Sequence, residues 1–392
     1  EIHERLVGSE MCIRDRSFGK KKWLSFGGWI NAVIPVLIVP YYSVIGGWVI
    51  KYLVEYFRGN AKLLAEDGYF TDFISNGVST ELCFMAFCAF TLIIIFAGVQ
   101  NGIERVSKIM MPILIVLSVI IAVYSVTRPG ALAGVKYFLV PNVKNFSWMT
   151  VVAAMGQMFY SLSIAMGILI TFGSYMKKDT AIEDSTRNVE IFDTGIAIMA
   201  GLMIIPAVFA FSGGDPDTLQ AGPSLMFITI PKVFQNMGFG TVIGIVFFVL
   251  VLFAAVTSSI ALTESAVSTF EDELGWGRKK ATVLVGVIML ALGSLSSLGY
   301  GPLAGIKIIG MQFLDLFDFL TNSVMMPIAA LLTSLLVSRV VGIDKIEDEI
   351  IHGESAFRRK KVFVVMIKYL CPVFAIIILL SSVANALGWI KM

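Results

Sequence analysis

The sequence has 392 residues, of which 57% are hydrophobic and only 15% are charged. Soluble globular chains are about half apolar and about a quarter charged, so this composition excludes an ordinary soluble domain and indicates a membrane protein. The net charge of +2 gives no electrostatic reason to expect binding to nucleic acid.

Apolar runs long enough to cross a bilayer, about 20 residues each, follow one another along the chain. We predict nine membrane spans, at 23–53, 82–100, 106–127, 149–176, 188–212, 238–270, 280–298, 312–338 and 362–388. Lipid offers backbone groups no hydrogen-bond partners, so each span should be a helix. The spans lack the alternation typical of a transmembrane barrel. The predicted fold class is therefore an all-α polytopic membrane protein.

The loops between the spans predict an orientation. Basic residues collect in alternate loops, with clusters at 20–22, 278–280 and 358–361. The intervening loops carry scattered acids instead. Cytoplasmic loops of membrane proteins are enriched in Lys and Arg, so the first span should run outward and the last should end outside.

The fourth span carries an unusual group of polar residues. Gln157, Tyr160, Ser161 and Ser163 lie close together between two glycines. One interpretation is a continuous helix whose serines bond back to its own carbonyls. The other is a discontinuous helix whose freed backbone groups face ions and substrate. The pattern alone does not decide between them.

The sixth span has hydroxyl groups on one face. Ala254, Thr257 and Ser258 are spaced i, i+3 and i+4, so they share one side of a helix. Two hydroxyls and a carbonyl are neutral oxygen ligands, which suit a weakly bound monovalent cation. Such clusters also join membrane helices through hydrogen bonds, and this alternative stays open.

Acids and one tyrosine complete the polar set. Asp193 lies in the fifth span, and Asp315 and Asp318 lie near the outer end of the eighth. Intramembrane carboxylates usually act as cation ligands, proton carriers or gates, although Asp193 is close enough to its span's end to be a wetted interfacial acid. Trp48 lies about 9 Å further out than Tyr42, which leaves the Tyr42 hydroxyl to face inward.

Five segments, in order and with matching spacing, resemble the neurotransmitter:sodium symporters, especially the bacterial eleven-helix amino-acid transporters. They are YYSVIGGW at 41–48, GQMFYSLS at 156–163, GPSLMFITIP at 222–231, TSSI at 257–260 and EDEL at 271–274. Each is weak alone, but the set is specific and covers about residues 18–392. The resemblance implies a leucine-transporter-like inverted-repeat helical bundle.

The same resemblance implies a domain organisation. The first span corresponds to the family's third helix, so 18–392 is expected to be a transporter membrane domain with about nine helices, family helices 3 to 11. Residues 1–17 match nothing in the family and are expected to be a foreign or artefactual segment. On this interpretation the sequence is a fragment that lacks the family's first two helices.

The resemblance further implies roles for individual residues. It implies a substrate pocket formed by Ile38, Tyr42, Tyr160, Ser163, Met166, Ser259 and Leu262. It implies sodium ligands at Ser161, Asp193, Ala254 (through its carbonyl), Thr257 and Ser258. It implies gating residues at Tyr175, Asp272 and Asp318. Of the pocket residues, Tyr42 would hydrogen-bond the substrate carboxylate.

Three positions depart from the family pattern. Tyr160 stands where the leucine transporter has Phe, which adds a hydroxyl that needs a partner. Ala165 replaces a common glycine at the helix break. Asp193 replaces the asparagine of chloride-dependent members, and its carboxylate could supply the charge that chloride supplies there. We therefore expect coupling that does not require chloride.

The predicted function is sodium-coupled symport of a neutral, hydrophobic or aromatic amino acid across the bacterial cytoplasmic membrane. Its partners would be the substrate, sodium ions and the lipid bilayer, with Na⁺ as coupling ion and no other cofactor. A proton-coupled carrier using Asp193 and a sodium-coupled amine transporter remain alternatives. A channel would need an open polar pore, whereas the hydroxyls here form two compact patches. An enzyme is not expected, because both histidines lie outside the spans and no reactive set converges.

Overall fold

A computed structural model describes residues 22–143, 146–177, 179–215, 219, 222–354 and 356–386, with 22–25 described by their backbone alone. The predicted segment 1–17 and the last two residues of the predicted span 362–388 lie outside these ranges. Within them every regular element is a helix, apart from an isolated β-bridge between Ile308 and Met311.

The main helices follow one another through the chain with short connections. In order they are α1 (Lys22–Phe57), α2 (Gly77–Phe96), α3 (Val99–Val126), α4 (Trp148–Ser161), α5 (Ile168–Ser174), α6 (Ile182–Ser212), α7 (Gly240–Leu274), α8 (Arg278–Leu298), α9 (Phe313–Val341), α10 (Ile343–Gly353) and α11 (Lys360–Ala386). Further short helices lie at Ala61–Leu64, Tyr69–Ser75, Ala131–Leu139, Gly222–Ser224, Leu225–Thr229 and Ile230–Gln235. Wider π-type turns lie at Val99–Glu104, Phe319–Met325, Val337–Val341 and Met366–Leu370.

The helices confirm the predicted all-α polytopic fold. In the described part of the chain, eight helices are long and apolar enough to cross a membrane: α1, α2, α3, α6, α7, α8, α9 and α11. They coincide with eight of the nine predicted spans. The remaining predicted span, 149–176, consists of α4 and α5 with a non-helical segment between them. Of the two alternatives that the sequence allowed for this span, the structure therefore has the discontinuous helix.

Helix α1 lies at the centre of the bundle. It packs against α2, α7, α8 and α9, and 67% of its most apolar stretch is buried, compared with 11% for α11. Gly47 allows α2 to approach closely, since a Cβ there would lie 2.7 Å from the backbone nitrogen of Phe84. Small residues permit such packing in membranes. The central position of α1 carries Ile38 and Tyr42 into the interior of the bundle.

The helix ends next to the basic clusters meet on one side of the bundle. Arg278 at the start of α8 donates two hydrogen bonds, of 3.1 and 3.0 Å, to the carbonyl oxygen of Ile95 at the end of α2. We call this the inner side and the opposite one the outer side. The positive-inside rule predicts that the inner side faces the cytoplasm.

On the outer side, aromatic contacts attach a connecting segment to α1. The Tyr52 hydroxyl donates to the carbonyl oxygen of Phe227 at 2.7 Å. The Phe227 ring also stacks on Phe70, with centroids 5.2 Å apart. An ion pair between Lys232 and Asp67 links the same two regions. The connection between α6 and α7 is thereby held over the outer end of α1.

Candidate functional site

The break between α4 and α5 is an unusual backbone feature of the described residues. Helix α4 begins at a capping box formed by Ser147 and Thr150, and it ends at Ser161. Ser163 (φ 54°) and Ala165 (φ 61°) then adopt left-handed conformations. Such conformations cost non-glycine residues about 1–3 kcal/mol each and are often found at functional sites. The regular helical bonding pattern is consequently interrupted at 162–167, although the amides of Leu162 and Ile164 still donate to carbonyl oxygens of α4.

One predicted pair of sodium ligands is in direct contact at this break. The Ser161 hydroxyl, at the end of α4, donates to Asp193 Oδ1 on α6 at 2.5 Å. Asp193 is half-buried, and Ser161 is exposed. A hydroxyl and a carboxylate are oxygen ligands of the kind that alkali cations accept. The contact also fixes the position of α6 relative to the break.

The other predicted sodium ligands lie together on α7. The Thr257 hydroxyl donates to the carbonyl oxygens of Ala254 and Phe253, both at 3.0 Å. Ser258 is exposed on the same region of the helix, and Tyr42 of α1 is its neighbour. Three oxygen atoms are thus presented on one partly exposed face of α7.

A row of polar side chains runs from this face towards the outer side. Tyr42 has Ser258 and Tyr160 as polar neighbours, and Tyr160 in turn has Asp318 nearby. The hydroxyl that distinguishes Tyr160 from Phe therefore has polar neighbours. Four residues that the sequence predicted therefore come together here from four different helices, α1, α4, α7 and α9.

An outer cavity of about 340 Å³ lies beside this row. A space of this size matches the lower end of the range for small-molecule sites. Helices α4, α9 and α11 form its walls. Its polar lining consists of Gln157, Tyr160, Asp318, Asn322, Ser323 and Ser382.

Asn322, which the sequence analysis missed, bonds directly to Asp318. Asn322 donates to Asp318 Oδ1 at 2.6 Å and to the Tyr41 hydroxyl at 3.4 Å. The same Tyr41 hydroxyl lies 3.4 Å from the hydroxyl of Thr321. The i, i+4 spacing of Asp318 and Asn322 could have predicted their contact. Thr321 and Asn322 belong to the π-type turn of α9, which begins directly after Asp318. Such turns often mark functional segments.

The predicted pocket residues do not all share one location. Ile38, Met166 and Leu262 are buried in one apolar cluster, while Ser163 lies half-buried within the break. Ser259 is placed differently: its hydroxyl pairs with that of Thr91 on α2 at 3.2 Å. The Ser259 hydroxyl therefore takes part in the α2–α7 interface.

On the inner side, the predicted gating residue Tyr175 belongs to a charged network. Its hydroxyl donates to Glu264 Oε1 at 2.7 Å. Arg278 donates to both oxygens of Glu264, at 2.9 and 2.5 Å, and the Glu264 side chain is 0% exposed. Asp272 is exposed on the last turn of α7, close to Glu271. The sequence analysis missed Glu264, although an acid deep within an apolar span was a visible signal.

The described residues form a multi-span bundle with a broken helix, a hydroxyl and a carboxylate at the break, and a hydrogen-bonded network on the inner side. These are features of a secondary transporter. The sequence model of the Sodium:neurotransmitter symporter family matches residues 70–389. The sodium-dependent transporter YhdH of Bacillus subtilis is 34% identical over 360 residues, which cover 91% of this chain and 79% of that protein. A sodium-dependent transporter of Haemophilus influenzae is 30% identical over 381 residues, which cover 94% and 81%.

A solved structure is also similar over nearly the whole chain. The crystal structure of MhsT in complex with L-phenylalanine has a TM-score of 0.83 and 32% sequence identity, and the match covers 97% of this chain and 86% of that one. The chain belongs to the sodium:neurotransmitter symporter family. It is an integral membrane protein of a sodium-dependent transporter family and not an enzyme, which confirms the predicted class.

Proposed function

We propose that the protein imports a neutral amino acid with a hydrophobic or aromatic side chain across the bacterial cytoplasmic membrane, coupled to sodium and without chloride. One observation carries this proposal: the break at 162–167 lies between a hydroxyl–carboxylate pair, Ser161 and Asp193, and a buried apolar cluster. Ion ligands and a place for an apolar side chain therefore meet at the same break.

The sodium ions would bind at two places. Ser161 and Asp193 would contribute to one site, and the Ala254 carbonyl with the hydroxyls of Thr257 and Ser258 would contribute to the other. Sodium bound within the membrane experiences the membrane potential, which amounts to about 2.3 kcal/mol per charge per 100 mV. The fixed carboxylate of Asp193 supports coupling without chloride, because it supplies a negative charge next to the ion.

The substrate would lie with its side chain among apolar residues. Ile38, Met166 and Leu262 favour a large apolar side chain, and Met166 offers adaptable bulk. The Tyr42 hydroxyl, beside Ser258, would donate to the substrate carboxylate. MhsT, a similar protein, has been crystallised with L-phenylalanine, which makes that amino acid the first substrate to test.

Uptake of labelled L-phenylalanine by the intact transporter in proteoliposomes tests the proposal. We expect uptake that disappears when choline replaces external sodium and persists when gluconate replaces chloride. Phenethylamine, which lacks the carboxylate, should compete poorly if Tyr42 binds that group. Undiminished uptake in choline would contradict sodium coupling and favour the proton-coupled alternative. Strong competition by phenethylamine would favour an amine transporter.

A further inference from the structure

The inner end of α6 is capped by a residue from a distant part of the chain. The N-cap residue of α6, Ala181, supplies no side-chain cap. Instead Oε1 of Glu354 accepts hydrogen bonds from the backbone nitrogens of Glu183, at 2.6 Å, and Asp184, at 3.3 Å. The first amide groups of a helix lack partners within the helix. A carboxylate also interacts favourably with the positive end of the helix dipole.

The arrangement is reciprocal. Glu183 Oε2 accepts a hydrogen bond of 2.9 Å from the backbone nitrogen of Arg358. The Glu183 side chain is only 10% exposed and also lies 3.8 Å from the Arg359 guanidinium. Each glutamate therefore satisfies a backbone amide of the other segment. We call this contact of 180–184 with 353–354 and 356–359 the inner joint.

The backbones themselves meet closely at the inner joint. A Cβ added at Gly353 would lie 2.6 Å from the carbonyl oxygen of Thr180. Any larger residue would force the two segments apart, so glycine is required for this approach. The joint is consequently a packed contact as well as an electrostatic one.

The inner joint lies at the corner where α5 leads into α6. Only the connection 175–181 separates these helices. On its other side α5 is bonded to α7: the Thr171 hydroxyl lies 3.3 Å from those of both Ser265 and Ser268. Movement of α5 away from α7 would therefore have to carry the joint along or break it.

We propose that Glu354 is a positioning residue for transport: by capping α6 it holds the corner between α5 and α6 in place and stabilises the arrangement in which α5 is packed against α7. This role does not depend on which residues bind sodium. Loss of the cap should shift the protein towards an arrangement that is open on the inner side and less open on the outer side.

Two cysteine reporters measure this shift from opposite sides. Ser268→Cys reports the contact between α5 and α7, and Ser323→Cys reports the outer cavity. Each cysteine is labelled with a membrane-impermeant maleimide in vesicles whose orientation exposes that side of the protein to the reagent. The labelling of the parent chain, which lacks the added cysteine, is subtracted. Glu354→Ala should raise the labelling rate at 268 about fivefold, the factor that corresponds to about 1 kcal/mol for a lost helix cap. It should lower the rate at 323.

Matched variants separate this role from general loosening. Glu354→Gln keeps a carbonyl acceptor and should label at close to the parent rate. Glu349→Ala removes an equal charge from an exposed position on α10 and should have no effect at either reporter. The proposal is overturned if Glu354→Ala behaves like Glu349→Ala, or if both reporters become faster, as a loosened fold would make them.

A second variant keeps the test decisive if Glu354→Ala does not fold. Gly353→Ala opens the inner joint sterically and leaves every charge in place. It should produce the same pattern, faster labelling at 268 and slower labelling at 323. If this folded variant leaves both rates at the parent values, the joint does not position α5 and the proposal is wrong.

Discussion

The two halves of the broken helix are held very differently. The outer half, α4, buries only Phe159 and faces the cavity of about 340 Å³. The inner half, α5, is bonded to α7 through Thr171, and the adjacent Tyr175 is bonded to Glu264. A carrier exposes its central site to one side at a time. Among the described residues, the hydrogen bonds of Thr171 and Tyr175 must therefore break before α5 can move away from α7 and substrate can leave on the inner side.

The largest effect is expected from a change to the buried carboxylate of Glu264 on the inner side. Glu264→Ala would leave the Arg278 guanidinium without its main partner and the Tyr175 hydroxyl without an acceptor. Removing one member of a buried ion pair typically costs about 3–5 kcal/mol. We expect a large fall in the unfolding temperature in detergent, measured by thermal denaturation.

Glu271→Ala is the matched control for that variant. Glu271 lies 3.8 Å from the same guanidinium and is partly exposed, so its loss should cost about 1 kcal/mol or less. Equal unfolding temperatures for the two variants would contradict the idea that Glu264 organises the inner side.

The next largest effect is expected at the break itself. Asp193→Asn keeps the size of the side chain but removes the charge that accepts the hydrogen bond from Ser161. The attraction between a carboxylate and a cation about 4 Å away is about 1–4 kcal/mol, so neutralising Asp193 should lower sodium affinity about tenfold or more. Uptake should also become sensitive to chloride. The sodium dependence of L-phenylalanine uptake measures the first effect, and replacement of chloride by gluconate measures the second.

Asp184→Asn changes the same group on the same helix and serves as the control. Asp184 is exposed in the first turn of α6, and the variant keeps its backbone bond to Glu354. Its sodium affinity should match that of the parent protein. An equal loss of affinity in both variants would argue against Asp193 as a sodium ligand.

Substitution of the glycines near the two ends of α5 should change the stability of the protein in opposite directions. Gly167 has φ 73°, and a Cβ there would lie 2.8 Å from the Ser265 hydroxyl, so Gly167→Ala should destabilise the protein by about 1–3 kcal/mol. Gly173 is helical with nothing within 4 Å of an added Cβ. Gly173→Ala should therefore stabilise α5 by about 0.5–1 kcal/mol. Thermal unfolding measures both, and shifts of the same sign would contradict the backbone argument.

The fold was predictable because a bilayer imposes a minimum length on apolar helices. The break was not decided by the sequence, because the serines near Ser161 suit both a continuous and an interrupted helix. The structure decides it through the positive φ angles of Ser163 and Ala165. The contact of the Ser259 hydroxyl with Thr91 was equally beyond the sequence, because the two residues lie 168 positions apart on different helices.

Long-range pairs were beyond sequence reasoning for a different reason. Glu354 meets the amide of Glu183 across 171 residues, and nothing in a local pattern specifies that contact. Glu264 and Arg278 are only 14 residues apart, but they lie on two different helices whose turn geometry sets the pairing. Asp318 and Asn322 are the opposite case, because their i, i+4 spacing predicts contact on one helix.

That last pair provides the smallest and most local test, on the outer side. Asn322→Ala removes the hydrogen bond that holds Asp318 at the cavity wall. The loss should be about 1 kcal/mol. This corresponds to an increase of about fivefold in the rate at which Gln157→Cys, on the opposite wall, is labelled from outside.

The next residue is the control: Ser323→Ala also alters the cavity lining and should change the labelling rate less than about twofold. Because the inner bonds of α5 are untouched, Ser268→Cys should not be labelled faster in either variant. Faster labelling at 268 in Asn322→Ala would mean that the outer half is not held independently of the inner half.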